Sequence, residues 1–158
     1  MACLMVVAGC SGATSRPDIH SAGIVVGDCA TPAAHGVVSG APRPRRADRD
    51  LNGDGVVEEI VSDQRMCSKD GNCHWNVFTR DRARRCTRYL GTIAGREIEL
   101  AEEAGEGGFR DVRGWWRLAG GKRYLLQHYR LNRGAYTVVE VLLCRRRLDR
   151  LVCVEDRK

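Results

Sequence analysis

Beyond residue 55 the chain is cut into short apolar segments by turn signals, "KDGN" at 69–72, "GEGG" at 105–108, "AGGK" at 119–122 and "LNRG" at 131–134. This spacing constrains the fold more than any other feature. The segments between the turns, 56–61, 74–79, 87–93, 97–101, 115–118, 124–129, 136–143 and 151–154, are rich in β-branched and aromatic residues and have strand length. None carries a 3.6-residue apolar stripe with caps at both ends. "REIELAEEAG", 96–105, comes nearest to a helix and is placed second to a strand. The prediction is an all-β fold of short antiparallel strands in a two-sheet or partial-propeller arrangement, stabilised by disulfides.

With 158 residues, 43% hydrophobic and 29% charged, the chain suits one globular domain. No apolar run approaches the roughly 20 residues that a membrane-spanning helix needs. Setting aside Cys3 and Cys10, six of the eight cysteines remain, an even count that fits an oxidising compartment. Cys67 and Cys73 flank "SKDGN", and Cys144 and Cys153 flank "RRRLDRLV" near an expected hairpin, so these two pairs are favoured locally. Cys29 with Cys86 then follows by elimination. A zinc site from Cys67, Cys73, His74 and Cys86 ranks lower, because no C-x-x-C pair is present.

The first residues, "MACLMVVAGCSG", run apolar from Ala2 to Ala8 and then present Val7-Ala8-Gly9-Cys10. This resembles the lipobox of bacterial lipoproteins. The resemblance implies removal of residues 1–9 as a signal peptide and a diacylglycerol on the sulfur of Cys10, so that the membrane is a partner through the N-terminal lipid. The segment departs from the pattern in having no Lys or Arg before Arg16, which suggests a true start codon further upstream. Ser11 after the lipidated cysteine points, by the same resemblance, to the outer rather than the inner membrane. Residues 10–47, rich in Gly, Ala, Ser and Pro, read as a tether with one candidate edge strand at "GIVVGDC", 23–29, and residues 48–158 as the β domain.

"DLNGDGVVEEIV", 50–61, places Asp50, Asn52 and Asp54 at alternate positions before Gly55 and two glutamates. An EF-hand switch is excluded, since its twelfth position needs Glu and here holds Val61. A structural calcium clip needs less: oxygens from Asp50, Asn52 and Asp54, the Val56 carbonyl, and Glu58 closing the cage. Three carboxylates imply weak affinity, with Kd of about 10⁻⁴ to 10⁻³ M. The alternative is a metal-free hairpin turn built on the Asn52-Gly53 and Asp54-Gly55 pairs. With "GFRDV" and "GAYTVVEV" downstream, the stretch resembles the VCBS/FG-GAP family of exported repeat proteins, whose calcium loops sit between strands. A second copy, "GEGGFRDVRGWWRL", begins about 60 residues later and lacks the Asp-x-Asn-x-Asp core, so the resemblance implies one calcium site at most.

Net charge is +6, and of 26 basic residues only Lys69, Lys122 and Lys158 are lysine, which leaves 23 arginines. Arg80, Arg82, Arg84 and Arg85 form one cluster and Arg145, Arg146 and Arg147 another, together a candidate anion-binding surface. In an exported lipoprotein the partner implied is an acidic glycan, lipopolysaccharide or an acidic protein, with no nucleic acid expected. No glycine-rich phosphate loop, G-x-S-x-G or H-E-x-x-H motif is present, and no catalytic residue is assigned. The expectation is a lipid-anchored, non-enzymatic binding or envelope-structural module. The alternative is an exported hydrolase or toxin with a site assembled from His74, His128 and Asp111.

Overall fold

The computed structural model describes residues 44–118, 120–147 and 150–155. The lipobox with Cys10, the candidate strand at 23–29 and Cys29 lie outside them. Nine strands run in chain order: β1 (Pro44–Arg46), β2 (Glu59–Asp63), β3 (Cys73–Asp81), β4 (Cys86–Gly95), β5 (Glu97–Ala104), β6 (Arg110–Arg117), β7 (Arg123–Asn132), β8 (Ala135–Arg147) and β9 (Arg150–Glu155). They form two antiparallel sheets, β1-β2-β3-β4 and β5-β6-β7-β8-β9, in which spatial order equals chain order. The expected all-β, two-sheet class is therefore present. Ladder pairing begins at Pro44 opposite Asp63, upstream of Asp48.

The core is supplied by alternate residues of both sheets. Ile60, Trp75, Val77, Leu90 and Ile93 come from the first sheet and Val112, Tyr129, Leu131 and Tyr136 from the second, with Leu51 and Phe109 from loops. Each fully buried Leu, Ile or Val contributes about 1.5–3 kcal/mol over its exposed state. The "REIELAEEAG" segment is strand β5, with Ile98 and Leu100 packed against this core and Glu97 and Glu99 on the other face. A helix would scatter that alternation around its axis.

The sheets meet where β4 crosses β6. Gly114 is required there, because a Cβ would collide with the Ala94 carbonyl oxygen. The crossing is fixed by hydrogen bonds from Arg96 N to Trp115 O (2.7 Å) and from Ala94 N to the Tyr129 hydroxyl (3.0 Å). Buried Asn72 adds a two-way bridge, donating to Arg117 O at 2.8 Å and accepting from Arg117 N at 2.7 Å. Cys67 is joined to Cys73, and Cys144 to its cross-strand partner Cys153. Cys86 is also disulfide-bonded.

The second sheet curls into a half-barrel. Glu97 and Glu99 on its β5 edge and Leu151 on its β9 edge line one cleft of about 150 Å³. In a flat five-stranded sheet the edges stand about 19 Å apart, too far for side chains to share a space that small.

Candidate functional site

The Asp50 loop is built by its own side chains. Asp50 accepts from Gly53 N at 2.7 Å and Gly55 N at 3.0 Å, Asn52 Oδ1 from Asp54 N at 3.1 Å, and Asp54 Oδ1 from Val56 N at 2.7 Å. Gly53 and Gly55 hold positive φ. Glu58 turns inward, 1% exposed, and accepts from Leu51 N at 2.8 Å and the Thr79 hydroxyl at 2.9 Å. Burial, with the nearby charges of Asp54 and Asp50, raises its carboxyl above 4.5 against the opposing hydrogen bonds. At Asp50, lost hydration pushes the carboxyl up, but backbone N–H groups of Gly55, Gly53, Asn52 and Asp54 outweigh it and hold the group below 3.8. Among the described residues no three His, Cys, Asp or Glu side chains are grouped as a metal site. Leu51 O accepts from Arg110 N at 2.6 Å, so the loop rests on the start of β6.

The two arginine clusters line separate concavities, Arg80, Arg82 and Arg85 one and Arg145, Arg146 and Arg147 another. Arg80, Arg82, Arg84 and Arg85 lie in and beside the β3–β4 turn, where Asp81 pairs with Arg84. The neighbouring Arg88 guanidinium lies beside Gly134, in the β7–β8 turn. Arg145, Arg146 and Arg147 occupy the far end of β8, ten or more residues from that turn. Lys122 and Arg123 join the second cluster, and these five side chains line one open concavity.

The concave face of the half-barrel collects residues that alternate with the core set. Rows of cross-strand partners read Glu97–Trp115–Leu126–Leu142 and Glu99–Arg113–His128–Glu140. Asp111 is fully buried and receives a bidentate contact from Arg130, 2.7 Å from Nη2 and 3.0 Å from Nε to Oδ2. His128 Nε2 lies 2.8 Å from Asp111 Oδ2 without hydrogen-bond alignment, and Nδ1 lies 3.8 Å from Glu140. Asp111 and His128 thus come together. His74 lies against Trp116, which belongs to the opposite face of β6.

The cleft between the sheet edges is lined by Arg96, Glu97, Glu99, Trp115, Tyr124, Arg146 and Leu151. The Trp115 indole N–H is buried and lacks a hydrogen-bond partner. Among the cleft residues, Arg146 belongs to the candidate anion-binding set, and Trp115 and Tyr124 are aromatic neighbours that the sequence offers as a stacking platform. The signal that marks Glu97 and Glu99 is the period-2 alternation of β5, read there only for fold.

Comparison with family models, curated proteins and solved structures returns no match.

Proposed function

We propose that the protein is a lipid-anchored, non-enzymatic binding or envelope-structural module of a bacterial cell envelope, held at the outer membrane through Cys10. The observation that carries the binding role is the half-barrel cleft, which sets Trp115 and Tyr124 beside Arg96, Glu97, Glu99 and Arg146. Aromatic faces with arginines beside them suit a ligand that carries both an apolar face and an acidic group. The disulfides favour the exported location. The Asp50 loop serves in this reading as a VCBS/FG-GAP-like structural calcium clip, and the two meanders stand for a partial-propeller relation to that family.

Two experiments test these parts. Labelling with a fatty-acid analogue should tag the wild type and leave a Cys10→Ala variant blank; equal labelling of both removes the anchor. Titration with acidic envelope glycan fragments or lipopolysaccharide should change the fluorescence of the wild type and not of Trp115→Phe. Since Trp75 and Trp116 report in both proteins, an unaltered change in Trp115→Phe removes the cleft as the site.

The second reading, an exported hydrolase or toxin, draws on the Asp111–His128 pair. A catalytic histidine needs one nitrogen oriented by a carboxylate and the other open toward a nucleophile. Here both nitrogens face carboxylates, Asp111 on one side and Glu140 on the other. This geometry orders the imidazole between strands and places the second reading below the first.

A further inference from the structure

We propose that the outer end of the β7–β8–β9 ribbon is a second membrane contact, independent of the lipid anchor, which docks on an anionic phospholipid surface. Cross-strand partners share a face. The ribbon's core-side face therefore carries Leu125, Leu143 and Val154 in one row and Arg123, Arg145 and Val152 in the next. The first sheet leaves this end uncovered, since β4 meets β8 back at Tyr136, through Gly91. Val152 is 46% exposed and Val154 58%.

The charges point the same way. Among the described residues Lys122, Arg123, Arg145, Arg146 and Arg147 have no acidic partner. Arg123 and Arg145 are direct cross-strand partners, a like-charge pairing that disfavours the sheet by itself. An anion between them reverses that cost. Valines interleaved with the arginines offer nothing to the hydroxyls of a glycan and gain only by leaving water. A surface that presents phosphates above hydrocarbon satisfies both sets at once.

The test uses the full chain carrying Cys10→Ser, so that no acyl chain contributes and failure of the anchor reading leaves this one standing. Co-sedimentation is measured with phosphatidylcholine vesicles and with vesicles containing about a third phosphatidylglycerol. The expected result is binding to the anionic vesicles alone, weakened by salt. At roughly fivefold per basic residue, Arg145→Gln with Arg147→Gln should lower the partition coefficient about 25-fold. Val152→Ser with Val154→Ser should lower it about tenfold. All four sites are exposed, and melting curves matching the parent confirm that each variant folds. Equal binding to both vesicle types, or binding that neither pair weakens, overturns the proposal. So does binding of a soluble sulfated glycan without vesicle binding, or a dimer that the valine pair abolishes while vesicles are ignored.

Discussion

Glu58 gives the sharpest handle on the Asp50 loop. Replacing it with Ala orphans the N–H of Leu51, a residue with no exposed surface, and removes the acceptor of the Thr79 hydroxyl. An orphaned buried donor costs about 1–3 kcal/mol, and the lost hydroxyl bond about 1 kcal/mol more. Relief of the buried charge offsets part of this, which leaves a loss of about 2–3 kcal/mol for Glu58→Ala in chelator. On a domain of this size that is a fall in Tm on the order of 10 °C. Glu58→Gln keeps an acceptor for Leu51 and a donor for Thr79 while discarding the charge. It should stay within about 1 kcal/mol of wild type. The pH dependence separates the two effects. The raised Glu58 carboxyl favours the folded state when protonated, so its stabilisation is full below 4.5 and is lost as pH rises through the higher folded value. Glu59 is raised as well, chiefly by burial, so the difference between wild type and Glu58→Gln isolates Glu58. In chelator, wild type should gain stability relative to Glu58→Gln on acidification from neutral pH toward about 5. Thermal and urea unfolding followed by circular dichroism, with disulfides intact, measures all three proteins. An Ala variant within about 0.5 kcal/mol of wild type refutes the inward, hydrogen-bonded role of Glu58.

Calcium at millimolar concentration should raise the Tm of wild type over its value in chelator and leave Asp54→Ala unmoved. Identical melting of wild type in the two buffers leaves the metal-free turn standing. Carboxyl NMR titration should place Asp50 below 3.8 and Glu58 above 4.5 in the metal-free protein. Gly114→Ala forces β4 and β6 apart at Ala94 and should cost more than about 3 kcal/mol or prevent folding, read from soluble yield and denaturant midpoint. Arg133 holds φ +52° ahead of Gly134 in the β7–β8 turn, so Arg133→Asn should raise stability by about 0.5–1 kcal/mol in the same unfolding assay.

Much of the fold was legible in the sequence because turns and alternation are local signals. "KDGN", "GEGG" and residues 120–122 fall between observed strands, Arg133 and Gly134 of "LNRG" form the β7–β8 turn, and the cysteine pairs with short spacing are joined. The first half of β6 escaped, since Arg110, Asp111 and Arg113 read as a charged turn. All three are strand residues: Asp111 and Arg113 belong to the concave face, where Arg130 meets Asp111 and Glu103 lies 3.6 Å from Arg113, while Arg110 Nε donates to Ala101 O at 2.8 Å. Strand β1 escaped because its first residue is a proline; at a sheet edge the missing N–H costs no ladder bond. The cleft was illegible for another reason. Glu97, Trp115 and Leu151 are far apart in sequence, and only the curl of the whole sheet brings its two edges together.

Mass spectrometry of the protein purified from the envelope of a diderm bacterial host decides whether this chain is an anchored envelope module. We predict a mature N-terminus at Cys10 bearing a diacylglyceryl thioether, with the Cys67–Cys73 and Cys144–Cys153 bridges intact before reduction. A protein that retains residues 1–9 with an unmodified Cys10 thiol contradicts it.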